Sequence, residues 1–277
     1  MTTHDIYHAK FEDVVSEDLI PDQSCDAIIT DLPYGTTAQS YDTPLDLEWF
    51  WWQCLRICKP NGAIVLFSQQ PFTTDIMNVA RPWFSSESIV EGFFEAIYHK
   101  THAQGFLSAR KKPMRAHENI LIFYPGSIVY NWQDVLGEGV PYRVEYKRDY
   151  SMSNYGREEC GRKGTVLDNK GTRFPRSVYQ AKDYAFESSV LTHSNSNNTA
   201  LHPHMKPLSL MSELVRTFTN VGDTVLDATA GSFTTNVACA IEDRNSIGVE
   251  IDEDNFNMGV MRLEELDIIV NKYALVD

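Results

Sequence analysis

The sequence contains no apolar run near the ~20 residues that cross a bilayer, and this excludes a membrane-spanning helix. Its first residues, MTTHDIYHAK, lack a basic stretch followed by an apolar one, so no secretory signal is expected and a cytoplasmic protein is. Cysteine is sparse: Cys25, Cys54, Cys58, Cys160 and Cys239 form no CxxC pair and leave an odd count. That pattern fits reduced thiols rather than a disulfide framework or a zinc site. The eight histidines show no HExxH spacing, so no metal is expected. Internal repeats are absent. Basic residues are also in deficit, 24 Lys and Arg against 38 Asp and Glu for a net charge of −14, which at first sight argues against a polyanionic partner.

The distribution of charge reverses that impression. Residues 100–182 hold 15 Lys and Arg against 8 Asp and Glu, while the rest of the chain is strongly acidic. A basic segment on an acidic body is the footprint of a site that must hold a polyanion. A second copy's acidic body would suit the same segment, so a homodimer stays open beside nucleic acid.

Read in order, the chain alternates strands and helices. His8 closes a short strand that starts at Asp5, and an acidic, turn-rich run follows from Phe11 to Ser24. Asp26 to Thr30 is a compact apolar strand ending in DLPYG, Asp31 to Gly35. Leu45 to Cys58 has helical character, with Trp49, Phe50, Trp51 and Trp52 expected to pack against a sheet. KPNG, Lys59 to Gly62, reads as a helix stop and turn before the buried strand Ala63 to Phe67. A helix is expected over Thr73 to Ala80, and strands near Glu95 to Tyr98 and Asn119 to Phe123, with a basic loop from Lys100 to Arg115 between them. Periodicity fades at Pro125 and returns after HSNSNN, His193 to Asn198. Helix Leu208 to Phe218 then precedes a strand–loop–helix–strand unit from Val221 to Asp252. This is the signature of an α/β fold with a doubly wound, mostly parallel sheet. Residues 1–124 and 199–277 are expected to form two halves of one core, and residues 125–198 an inserted region.

Two strand ends carry the chemistry. In the Val221–Asp252 unit, DATAGS turns at Gly231 and Glu250 ends the next strand about 20 residues later, a spacing that suits the two hydroxyls of a ribose. In DLPYG, the Asp31 carboxylate and the Leu32 carbonyl can accept both N–H groups of an exocyclic amine and aim its lone pair. Pro33 stiffens the turn, and Tyr34 offers a ring face to a base.

With KPNGAIVLFSQQPF (Lys59 to Phe72), the His117–Glu118 pair, GTRFPRSV (Gly171 to Val178) and HPHMKP (His202 to Pro207), these motifs resemble the β-class DNA amino-methyltransferases, in particular the phage and prophage type of adenine-N6 methyltransferase. The catalytic motif precedes the cofactor motif, the circularly permuted order of that class. The resemblance implies an S-adenosylmethionine-dependent methyltransferase sheet with a target-recognition insertion, acting on double-stranded DNA with its target base flipped out. It further implies a catalytic set of Asp31, Leu32, Pro33 and Tyr34. Cofactor contacts would come from Asp227, Ala228, Gly231, Ser232, Thr234 and Glu250, with Lys206 and Pro207 from the adjoining segment. DNA contacts are expected from Lys100, Lys111, Lys112, Arg115, Arg173 and Arg176. Phe233 stands where the family usually has a second glycine, and a side chain there is expected to crowd the cofactor or to force the turn. Two other functions stay open on the same residues: methylation of cytosine N4, and DNA binding without turnover.

Overall fold

The computed structural model describes residues 2–16, 18–35, 45–84, 92–131, 166–167, 173–174, 189–195 and 205–275. The chain divides into two units, residues 1–135 with 188–277 and residues 136–187. In the larger unit, strand β1 (His4–His8) and helix α1 (Phe11–Ser16) lead into β2 (Cys25–Thr30), α2 (Leu47–Ile57), β3 (Cys58–Ser68) and α3 (Phe72–Ala80). The hairpin of β4 (Gly92–Gln104) and β5 (Arg115–Tyr124) follows. In the smaller unit, two short strands, β6 (Val166–Leu167) and β7 (Arg173–Phe174), pair antiparallel. The larger unit resumes with β8 (Val190–His193), α4 (Leu208–Phe218), β9 (Thr224–Asp227), α5 (Thr234–Ile241), β10 (Asn245–Glu250), α6 (Glu253–Glu265) and β11 (Asn271–Ala274).

Nine strands form one sheet in the order β11-β1-β10-β9-β2-β3-β5-β4-β8. Only β5 pairs antiparallel with its neighbours, so the sheet is mostly parallel, as the alternation of elements implied. The period of two along each central strand assigns side chains to opposite faces. Ile28, Ile64, Leu66, Leu121, Phe123 and Leu226 pack on one side with Trp51, Ile57 and Ile76 of α2 and α3. Ala27, Ile29, Val65, Phe67, Ile122 and Val225 pack on the other with Leu210, Leu214 and Ala238 of α4 and α5. Burial on both faces explains why these strands read as unbroken apolar runs.

Several sequence expectations change. Phe11–Ser16 is a helical turn and a half rather than a loop, with Phe11 and Val14 buried on its inner face. KPNG does not stop the chain in a turn: it is the irregular start of β3, because Cys58 pairs with Cys25 and the Lys59 ammonium lies 2.8 Å from both carboxylate oxygens of Asp26. Asp26 also accepts the Thr224 N–H at 2.9 Å, so one carboxylate ties the amino-terminal ends of β2, β3 and β9. Of the four α2 aromatics, Phe50 and Trp51 are buried, Trp49 is partly buried, and Trp52 faces solvent. Val190–His193, within the range expected for the insertion and its exit linker, is a strand of the main sheet beside β4.

Candidate active site

The chain runs from β2 to β3 in one direction along the sheet and from β9 to β10 in the other, so the order reverses between β2 and β9. Open α/β sheets bind ligands at the strand carboxyl ends above such a reversal. The segment after β2 carries Asp31 to Gly35, and the segment after β9 carries Ala228 to Phe233. Thr229 joins them: its hydroxyl donates to the Asp31 carbonyl at 3.1 Å and meets the Thr30 hydroxyl at 2.9 Å.

On the β2 side the site is built from opposite charges. The Tyr34 hydroxyl donates to Asp31 Oδ1 at 2.6 Å, and Lys206 Nζ donates to Asp31 Oδ2 at 2.5 Å. Lys206 also lies 2.9 Å from Glu118 Oε2 and 4.8 Å from the centre of the Phe67 ring. Glu118 Oε1 accepts Lys100 Nζ at 2.5 Å and Gln69 Nε2 at 2.8 Å. Burial alone would raise the Glu118 carboxyl, but the ammonium groups of Lys206 and Lys100 outweigh it and bring its pKa down to about 2. Burial likewise works against charge on Lys206, and the Asp31 and Glu118 carboxylates reverse that and hold its pKa above the usual range. The phenol of Tyr34 is pushed up by burial and by the negative charge of Asp31, and its ring lies 5.0 Å from that of Phe72.

Among the described residues, the carboxylates on the β9 side have no ammonium partners. Asp227 Oδ1 accepts the Thr229 N–H at 3.2 Å and Oδ2 accepts the Thr235 hydroxyl at 2.5 Å. Glu250 Oε2 accepts the Gly231 N–H at 2.7 Å and Oε1 the Asp252 N–H at 2.8 Å. Desolvation raises Asp227 to about 6 and Glu250 to about 7, against the pull of those hydrogen bonds. Gly231 has φ +53°, and a side chain added there would meet nothing within 4 Å: the backbone borders open space. Ala228 and Ser232 are buried within the same turn. An acceptor carboxylate, a glycine turn bordering open space and the start of α5 fit an adenosyl cofactor with a diol.

Five expected site residues sit differently from their expected roles. Phe233 does not crowd the loop: it occupies the left-handed region at φ 55° and is fully buried. Its ring fills the space over Gly248 and Gly259 and meets the Phe256 ring edge-on at 5.7 Å. The backbone therefore does what glycine would do, while the side chain turns into the core. The Thr234 hydroxyl accepts Arg262 of α6 at 2.8 Å, which ties it to a neighbouring helix. Lys206, expected beside the cofactor, places its ammonium on Asp31 and Glu118, and Pro207 caps α4. Lys100, expected to touch DNA, is buried at 5 % exposure because its charge is matched by Glu118.

Lys111, Lys112 and Arg115 are exposed around the β4–β5 turn. Arg173 lies in β7, and Arg176 lies outside the described residues. Gln69 and Thr229 lay within the KPNGAIVLFSQQPF and DATAGS motifs without a role assigned to either, and Glu118 stood out only as half of a His–Glu pair. Among the described residues no three His, Cys, Asp or Glu side chains are grouped to hold an ion, and no helix is long and apolar enough to cross a membrane.

Comparison with known proteins agrees with this geometry. The type II methyltransferase M.HpaI of Haemophilus parainfluenzae is 26% identical over 88% of this chain and 70% of its own. The DNA adenine methyltransferase YhdJ of Escherichia coli strain K12 is 24% identical over 88% of this chain and 78% of its own. Among solved structures, the M1.HpyAVI–SAM complex superposes with a TM-score of 0.56 at 19% identity, covering 94% of this chain and 99% of that one. The cytosine-N4-specific PvuII DNA methyltransferase gives 0.63 at 14% identity, covering 99% and 96%. Residues 25–260 match the DNA methylase family N6_N4_Mtase. The chain belongs to that family and is an S-adenosylmethionine-dependent DNA methyltransferase.

Proposed function

We propose that the protein methylates the N6 amino group of adenine in DNA. One observation carries this reading: at the strand end where an acceptor for an amine is needed, the residue is the carboxylate of Asp31, held by Tyr34 and Lys206. A carboxylate offers about four lone-pair sites, so two partners leave room for an N–H of the target base. The Leu32 carbonyl takes the second N–H, and the nitrogen lone pair is thereby aimed. The amine of adenine is a poor nucleophile because its lone pair is shared with the ring, so positioning and electrostatics carry the step. Bound S-adenosylmethionine supplies an electrophilic methyl group. Glu250 accepts the ribose hydroxyls, while Asp227, Ala228, Gly231 and Ser232 shape the loop around the methionine portion. Thr234 supports that loop through Arg262, and Pro207 sets the direction in which Lys206 enters the site. The adenine name of the relative YhdJ agrees with this reading.

The target base reaches Asp31 by leaving the duplex, as base-modifying enzymes require. Lys111, Lys112, Arg115, Arg173 and Arg176 supply phosphate or base-edge contacts, and residues 125–198 contain the target-recognition region. The test is incubation of the purified protein with labelled S-adenosylmethionine and unmethylated genomic DNA, followed by digestion to nucleosides. N6-methyladenine is expected. N4-methylcytosine would overturn the assignment of the base, and no label in DNA would overturn turnover.

A further inference from the structure

The β4–β5 hairpin is rooted in the catalytic cluster. Lys100, near the end of β4, and Glu118, near the start of β5, bind each other, and Glu118 binds the same Lys206 that holds Asp31. The exposed Arg115 lies close enough to Tyr34 for its positive charge to oppose the rise of the phenol pKa. From this root the chain passes through Gly105 in the left-handed region into a one-turn 3-10 helix, Phe106–Ser108. The turn is held by its own backbone: Ser108 N–H donates to Gly105 O at 2.9 Å, Ala109 N–H to Phe106 O at 3.0 Å, and Lys111 N–H to Ser108 O at 2.8 Å. At its apex Phe106 is 78 % exposed and Leu107 99 % exposed, with Met114 also at the surface. Arg110, Lys111, Lys112 and Arg115, all exposed, follow Phe106 and Leu107 along the same loop, and no acidic residue occurs from Thr101 to His117 in a chain of net charge −14.

A large aromatic and a leucine held out in water on a preformed turn of an exposed basic loop match a partner that is anionic outside and apolar between its stacked planes. Duplex DNA has this character, and proteins that deform it insert such apolar side chains between base steps. We propose that Phe106 and Leu107 form a wedge that enters the duplex beside the target base. There it unstacks the neighbouring step and occupies the space the base vacates, while Arg110, Lys111 and Lys112 hold the flanking phosphates. The inference rests on the base-extrusion reading above and adds to it the residues that open the stack.

The test uses the full chain and the double variant Phe106→Ala, Leu107→Ala, with Phe106→Trp as a variant that keeps the wedge. Closed circular plasmid is relaxed by a topoisomerase with saturating protein and S-adenosylhomocysteine, and its linking number is read after the protein is removed. Wild type and Phe106→Trp should lower the linking number, and the double variant should leave it unchanged. Methylation of duplex plasmid by the double variant should fall at least about tenfold with unchanged cofactor affinity. An unchanged linking number with wild type overturns the wedge, as does a double variant that unwinds like wild type. A double variant that instead dissociates a wild-type dimer makes the tip a contact between copies and also overturns it. Unwinding by a wild-type protein that methylates nothing would remove the proposed reaction and leave the wedge standing.

Discussion

The two sides of the sheet reversal hold their carboxylates in opposite ways. Beside β2, Asp31 and Glu118 are laced to Lys206 and Lys100, and Glu118 is drawn down to about 2. Beside β9, Asp227 and Glu250 are held, among the described residues, by backbone N–H groups and the hydroxyls of Thr235 and Thr30, and burial lifts them to about 6 and 7. Charge that is fully paired stays fixed through a reaction, which suits the side proposed to present an acceptor to an amine. Charge held by neutral donors responds to whatever fills the pocket, which suits the side proposed to bind and release the cofactor.

The strongest way to break this comparison is Asp31→Ala. Methyl transfer should fall by on the order of 10²–10³ or more, while calorimetry should find cofactor affinity almost unchanged. Near wild-type turnover would show that Asp31 does not touch the reacting amine.

Phe233→Gly probes what keeps the β9 side rigid without ion pairs. Removing a fully buried ring costs about 3–5 kcal/mol, and relief of the left-handed backbone offsets only about 1–2 kcal/mol of that. The expected outcome is a lower melting temperature and, through a loosened loop, weaker cofactor binding. A variant as stable as wild type would return Phe233 to the role of an obstruction.

Glu250→Ala should weaken cofactor binding about ten- to hundredfold, the worth of a charge-assisted hydrogen bond at roughly 1.5–3 kcal/mol, with little effect on DNA affinity. Equal cofactor affinity in the two proteins would remove Glu250 from the pocket.

The smallest effect is in pH. Glu250 is raised from its ordinary 4.5 to about 7 by burial. Folding therefore disfavours its ionised form, and the cofactor-free protein should lose stability as pH climbs between those values. Cofactor affinity should move the other way, rising through pH 7 as the carboxylate becomes charged and levelling off above it. Titration calorimetry from pH 5.5 to 8.5 checks the second trend, and Glu250→Gln should flatten it.

Much of the architecture could be read from the chain because local pattern and environment agree there. Ala27 to Ile29, Ala63 to Phe67 and Val225–Leu226 are apolar on both faces, and the sheet buries both. The strand-end positions of Asp31, Gly231 and Glu250 follow from the same pattern. What escaped it depends on distance along the chain or on backbone angle. Lys206 reaches Asp31 across 175 residues, and no spacing rule links HPHMKP to DLPYG or to Glu118. Lys100 looked like a surface cation because it opens the basic loop Lys100 to Arg115; its burial is decided by Glu118 on the next strand. The direction of the Phe233 side chain escaped it because a residue in a glycine position can supply the glycine conformation and send its side chain elsewhere.

The first strand has a consequence for the order in which the protein can be completed. β1, residues 4–8, lies between β10 and β11, and the Leu275 N–H closes on the His8 carbonyl. At a synthesis rate of ~5–20 residues per second, residues 4–8 wait roughly 12–50 s for residues 245–275 to appear. Until then β1 has neither of its sheet neighbours, and Glu250, the acceptor expected for the ribose, does not exist. A nascent chain that already carries DLPYG and the basic hairpin therefore still lacks the acceptor proposed for the ribose, which arrives together with the closure of that edge of the sheet.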